Sequence, residues 1–345
     1  MKMTFRWYGE EDRIPLSHIA QIPGVDGVVT AVYDVPVGEV WPVEKLRRLR
    51  ALSESHGLSM EVIESIPVHE DIKLGRPTRD AYIEVYRKNI LACGAVGVKC
   101  VCYNFMPVFD WLRTDLHYRH ADGSESLAYS EAALRSLDPH HLRLPGWDES
   151  YREDELNALL SAYSGMSHET LFENLVYFLR GVMPACREAR IRMAIHPDDP
   201  PFDIFGLPRI ISNAADLRRL FAAVPDGHNG LTFCTGSLGA GRGNDLPRMA
   251  EEFAGRVYFA HLRQLAYTNE TNFYENGHRT ADGSLDIYGV VKALVRGGFD
   301  GYVRPDHGRN VWGEEGKPGY GLYDRAMGAC YLSGLFEAVS KEEKR

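Results

Sequence analysis

Residues 230–237 read GLTFCTGS, an apolar β-rich run that stops on a cysteine, Cys234, just before a turn of small residues. Three other stretches repeat the arrangement. RMAIHPDDPP (192–201), RVYFAHLRQ (256–264) and GYVRPDHGR (301–309) each stop on a possible metal ligand: His196, His261 and Asp306. Further Val-, Ile-, Phe- and Tyr-rich runs lie at MTFRWYG (3–9), GVVTAVY (27–33), LSMEVIES (58–65) and VGVKCVCYN (96–104), which brings the count of strand-like segments to eight.

Helical patterns separate these runs. WPVEKLRRLRALSESHGL (41–58) opens on Pro and ends at Gly57; TRDAYIEVYRKNILACGA (78–95) opens on Thr78; SHETLFENLVYFLRGVMPACREAR (167–190) opens on Ser167. Others fit NAADLRRLFAAV (213–224), DLPRMAEEF (245–253), DIYGVVKALVRGG (286–298) and YDRAMGACYLSGLFEAVSK (323–341). Strands alternating with helices specify parallel β/α units. Eight units with donors at several widely separated strand ends favour a closed (β/α)8 TIM barrel, which gathers those ends at one mouth. An open sheet would concentrate its site at one switch point, and GSLGAGRGN (236–244) does not match the dinucleotide fingerprint in a first βα unit.

The reading is therefore a single barrel domain over 1–345 with long insertions after its fourth and seventh strands. Residues 105–165 are expected to be a lid-like insertion, and residues 265–285 a second long loop on the same side. The net charge of −9 argues against a nucleic-acid partner, and the basic run EKLRRLR (44–50) fits the solvated face of an amphipathic helix. With no apolar leader and no long apolar span, the expectation is a cytoplasmic protein with no membrane partner. The six cysteines show no CxxC spacing. Cys93, Cys100, Cys102, Cys186 and Cys330 read as buried, reduced core thiols, and Cys234 stands apart by position.

Side chains alternate along a strand, so the last inward residue of each barrel strand points into the mouth. His196, Cys234, His261 and Asp306 would then present two imidazoles, a thiolate and a carboxylate to one volume, a first shell for a divalent transition metal. The donors suit zinc or iron and permit manganese. Taken singly, each of these residues reads as an ordinary structural contact; four on consecutive strands do not. His307 enters the site only if the chain has turned after Asp306, and is then a candidate acid or base. Arg304 shares the Asp306 face and could orient it or bind a carboxylate; a buried structural Arg–Asp pair is the alternative.

With those residues in place, YNFMPVFDWLRTDL (103–116), AIHPDDPP (194–201), GLTFCTGSLG (230–239), AHLRQ (260–264), RPDHGR (304–309) and GKPGYGLYDRAMG (316–328) together resemble the D-mannonate dehydratase family of hexuronate catabolism, nearly from end to end. The resemblance implies a xylose-isomerase-like barrel, a divalent metal, typically Mn2+, with Fe2+ or another divalent ion also compatible, and loss of water from D-mannonate to give 2-dehydro-3-deoxy-D-gluconate. It carries the metal ligands onto His196, Cys234, His261 and Asp306, and the family's catalytic tyrosine onto Tyr320, with Tyr323 as the alternative register. His307 and Tyr320 are then the acid–base pair, without a direction assigned.

Asn104 and Arg113 are candidate binders of the sugar acid, Arg113 otherwise pairing with Asp110 or Asp115. Trp7 and Tyr8 would form an apolar wall, or simply pack. A sugar isomerase or epimerase on the same barrel would favour an all-carboxylate and imidazole site over one with a cysteine. A barrel endonuclease would need a basic groove, and a sugar-acid sensor would have lost the acid and base. Analogy with related barrels extends a homodimer to this chain.

Overall fold

The strand runs are apolar because both of their faces are covered, one by helices and one by the barrel lumen. The computed structural model describes residues 1–139 and 151–344. Along the chain its strands are β1 (Lys2–Arg6), β2 (Gly27–Thr30), β3 (Ser59–Glu64), β4 (Cys100–Tyr103), β5 (Asp115–Arg119), β6 (Glu125–Tyr129), β7 (Arg192–Ile195), β8 (Asn229–Cys234), β9 (Val257–Leu262), β10 (Gln264–Tyr267), β11 (Phe273–Asn276) and β12 (Tyr302–Pro305). Eight of them close a parallel barrel in the order β1-β12-β9-β8-β7-β4-β3-β2. These eight are the runs read from sequence.

The expected helices form at Val43–Ser55, Arg79–Ala95, His168–Ala189, Ala214–Ala223, Leu246–Phe253, Ile287–Arg296 and Tyr323–Glu342. Ser167 caps its helix, its hydroxyl accepting the Thr170 N–H at 3.0 Å. Gly57 follows the first long helix at φ +77°, a left-handed position that favours glycine. Thr78 differs from expectation: it makes no side-chain cap, because its hydroxyl donates instead to Asp71 Oδ2 at 2.6 Å. The basic run at 44–50 is solvated as expected, with Arg47 paired to Glu44 and Arg48 to Glu10 on the surface.

The two long connections contain strands where the sequence suggested only loops. β5 and β6 follow the fourth barrel strand, β10 and β11 follow the seventh, and the four pair antiparallel in the order β10-β11-β6-β5. Phe273 of β11 sits opposite Tyr129 of β6, so each connection completes the other's sheet. β5 alternates exposed Asp115, His117 and Arg119 with half-buried Leu116 and Tyr118, and two apolar positions are too few for the period to stand out. Of the lid-like segment 105–165, residues 140–150 lie outside the described residues.

All six cysteines are free, and five are buried; Cys330 is exposed, which corrects its reading as a core thiol. It lies on the outer face of the C-terminal helix, where apolar neighbours do not enclose it. Among the described residues no helix is long and apolar enough to cross a membrane.

Most of the core lies between barrel and helices. A second cluster, Val29, Val62, Cys100, Cys102, Ala194 and Phe259 among its members, is drawn from five barrel strands and fills the lumen under the mouth. The Phe259 ring meets the His261 ring edge-on, with centroids 4.3 Å apart, so lumen packing supports the site directly. Phe259→Ala should cost about 3–5 kcal/mol of stability, as truncation of a fully buried aromatic does. A urea titration against the unsubstituted protein measures it.

Candidate metal and acid–base site

Parallel register brings the strand ends to one level. Cys234 ends β8 directly opposite His261 of β9, and His261 is in turn opposite Arg304 of β12. His196 is the first residue beyond β7, and its N–H extends the ladder to the Tyr103 carbonyl at 2.6 Å. Asp306 follows β12 and does the same to Leu262 at 3.1 Å. The chain then turns, so that Asp306 and His307 both line one cavity with Glu64, Asn104, Asp110, Trp111, His196, Arg263, Arg304 and Tyr320. Cys234 and His261 are fully buried beside it.

His196, Cys234 and His261 each offer one ligand atom, and these atoms lie within 4.8 Å of one another. The Cys234 thiol also reaches Asp306 Oδ2 at 3.5 Å. The surroundings of the donors suit a metal. Nδ1 of His196 is 2.7 Å from the Pro197 carbonyl, which only accepts, so Nδ1 carries the proton and Nε2 keeps its lone pair. Ser237 turns its N–H and its hydroxyl onto Cys234 Sγ at 3.4 and 3.2 Å, so the sulfur accepts two hydrogen bonds from the turn that follows it. Nε2 of the buried His261 faces Glu64 Oε2 at 3.4 Å without an aligned hydrogen bond. Glu64, Cys102 and His261 form a second group of the same size, but Glu64 is already held by Arg304 through both oxygens, at 3.1 and 3.0 Å.

Buried charge surrounds the donors. Arg304 contacts Glu64, Asp306 Oδ1 at 2.8 Å and His261 Nδ1 at 3.3 Å. Burial alone would push the Asp306 carboxyl up, but Arg304 and Arg263 outweigh it and hold it well below the usual carboxylate range. Glu64 is likewise kept ionised, burial opposing and Arg304, His261 and Arg6 prevailing. Arg304 thus pairs with two carboxylates of the protein while it lines the cavity, and its Nη1 has no aligned hydrogen-bond partner.

Tyr320 and His307 stand together, the tyrosine hydroxyl 2.9 Å from Nε2. Burial raises the Tyr320 pKa, with Arg304 opposing, so the phenol keeps its proton near neutral pH. Tyr323, the alternative register, begins the C-terminal helix, is exposed and stacks near Trp312 on the surface. Asn104 lines the cavity and hydrogen-bonds Asp110.

Two candidates fall elsewhere. Arg113 is buried and pairs with neither Asp110 nor Asp115. Its guanidinium grips Asp199 through two bonds of 2.8 and 3.0 Å and Glu275 at 2.8 Å, leaving it outside the cavity. Trp7 packs in the main core and does not line the cavity, whereas Tyr8 stacks edge-on against Tyr320 with centroids 5.2 Å apart.

Sequence reading missed Glu64, Asp110, Trp111, Asp199, Arg263 and Glu275. Glu64 ends β3 and carried the same strand-end signal as the four ligands; Asp199 lies three residues beyond His196 and Arg263 two beyond His261. Trp111 lines the cavity with an indole N–H that has no partner. Nothing local marked Glu275.

Known proteins match this chain along nearly their whole length. Residues 1–345 match the D-mannonate dehydratase (UxuA) family. Proteins named mannonate dehydratase from Thermotoga maritima and Thermotoga neapolitana are each 52% identical, covering 100% of this chain and 99% of theirs. The crystal structure of mannonate dehydratase from Streptococcus suis serotype 2 superposes with a TM-score of 0.93 at 47% identity, over 99% of this chain and 96% of that one. An L-ribulose 3-epimerase, 11% identical with a TM-score of 0.55, shares the fold alone. By sequence and by structure, the chain belongs to the D-mannonate dehydratase (UxuA) family.

Proposed function

We propose that this protein is a mannonate dehydratase, a hydro-lyase that converts D-mannonate to 2-dehydro-3-deoxy-D-gluconate and water in hexuronate catabolism. The observation that carries the reading is the Tyr320–His307 pair, joined at 2.9 Å, in the same cavity as the donor cluster. Full-length relatives named for this activity support the substrate.

His196, Cys234, His261 and Asp306 would hold one divalent ion, manganese in the first instance, with iron or another transition metal compatible with the mixed donors. When bound, such an ion supplies Lewis acidity toward the oxygens of the substrate. The remaining chemistry falls to the protein. Dehydration removes the proton on C2, next to the carboxylate, and expels the hydroxyl on C3. One member of the Tyr320–His307 pair takes the C2 proton and the other delivers a proton to the departing hydroxyl, so one water leaves and no net proton is consumed. The enol left behind becomes the 2-keto acid by ketonisation. Burial keeps the Tyr320 proton in place, which makes the phenol a ready donor without further activation. Asn104, Asp110 and Trp111 line the wall from which hydroxyls of an open-chain sugar acid can be oriented.

Metal-stripped protein should form no 2-keto acid from D-mannonate, and added manganese should restore it. Cys234→Ala should lose both bound metal, read by elemental analysis, and turnover. Tyr320→Phe should keep metal and D-mannonate binding while kcat falls by about 10²–10⁴-fold, the contribution expected of a positioned acid or base. Unchanged turnover in that variant would remove Tyr320 from the mechanism.

A further inference from the structure

Behind the acid–base pair, on the side away from Tyr320, His307 meets a carboxylate that neither the barrel nor its ligand set contributes. Glu275 lies on β11 of the small antiparallel sheet, is fully buried, and places Oε2 at 2.8 Å from His307 Nδ1. Its other oxygen is held by Arg113 at 2.8 Å and faces Arg263 at 3.3 Å. We propose that Glu275 is a positioning residue of the reaction: it holds His307 in the tautomer with the proton on Nδ1, so that Nε2 presents its lone pair to the Tyr320 hydroxyl. The proposal rests on the His307–Tyr320 reading above and deepens it.

Two groups compete for Nδ1. Arg263 Nη1 also approaches it, and an arginine can only donate. A proton on Nδ1 satisfies Glu275; a lone pair there would satisfy Arg263. The buried carboxylate decides between them. Oε2 has His307 as its hydrogen-bonding partner, and an ionised oxygen left without a donor in a buried site is costly. Burial opposes the charge of Glu275, but the guanidinium groups of Arg263 and Arg113 keep it ionised, so it cannot donate. Arg263 has other acceptors in Asp199 Oδ2 at 2.7 Å, Glu275 Oε1 and Asp306 Oδ2 at 3.4 Å. Nδ1 therefore carries the proton, and Nε2 is left to accept from Tyr320.

Glutamine at this position would preserve shape and reverse the logic. Arg113 and Arg263 donate toward Oε1, so the amide oxygen would take that place and the amide nitrogen would face His307. Nδ1 must then accept, the ring proton moves to Nε2, and the lone pair facing Tyr320 is lost. Aspartate is a poorer fit sterically but keeps an acceptor-only group. A packing role ranks these two variants one way and a tautomer role the other.

The test uses the full-length, metal-loaded protein with D-mannonate, comparing Glu275→Gln, Glu275→Asp, His307→Asn and the Glu275→Gln/His307→Asn double variant. Glu275→Gln should lower kcat on the order of 10–100-fold with KM changed less than about twofold, the scale typical of supporting partners. Glu275→Asp should retain more kcat than Glu275→Gln. The double variant should be no slower than His307→Asn alone, because Glu275 acts through that ring. If Glu275→Gln does not fold, a kcat loss at unchanged KM in Glu275→Asp that vanishes in the His307→Asn background supports the same role. Wild-type kcat in the glutamine variant, a slower aspartate than glutamine variant, or losses that add in the double variant overturn the proposal. Wild-type turnover in His307→Asn overturns the acid–base reading and this inference with it. A metal-loaded wild type that makes no 2-keto acid overturns the dehydratase reading itself.

Discussion

Charge neutralisation under the barrel mouth is the constraint on which the rest of the structure depends. Arg113, Arg263 and Arg304 are buried together with Glu64, Asp199, Glu275 and Asp306, and each charge is matched by partners of opposite sign. Removing one member of such a pair strands a charge in a low dielectric, at about 3–5 kcal/mol, whereas the intact pair adds little net stability. The network therefore functions mainly by orienting its members. It keeps Asp306 ionised beside the thiol and imidazoles, draws Arg304 onto Glu64 and Asp306, and sets a carboxylate against the ring of His307.

Close packing makes that orientation possible. A Cβ on Gly236 would stand 1.6 Å from Arg263 Nε, so the turn after Cys234 has no side chain there because the guanidinium passes through the space. Phe259 under His261 and the lumen cluster beneath it hold the ligand level from below. The small antiparallel sheet closes the arrangement from above. Arg113 precedes β5 in one long connection and Glu275 lies on β11 in the other, so their ion pair bonds the two connections to each other as well as to Asp199.

This gives the long connections a chemical role beyond covering the mouth. A barrel supplies residues at strand ends, and a side chain there reaches only inward or along the axis. A carboxylate approaching His307 from behind has to come from a layer laid over the barrel. The pairing of β6 with β11 builds that layer from segments more than a hundred residues apart in sequence.

Much of this was legible in the chain. Eight apolar runs alternating with capped amphipathic helices determine the barrel, because period, apolar content and turn residues are local properties of sequence. The same alternation put His196, Cys234, His261 and Asp306 at strand ends, since a strand fixes which way its last side chains face. Tertiary structure alone decided the rest. It turned the chain after Asp306 so that His307 and Tyr320 meet, set Arg113 against Asp199 and Glu275 rather than Asp110 or Asp115, and put Trp7 into the core. It also brought Glu275 to His307 through a sheet assembled from four short strands of two distant connections. Those outcomes depend on which charges converge from residues 64, 113, 199, 263, 275 and 304, and no local pattern records which distant charges will share one buried volume.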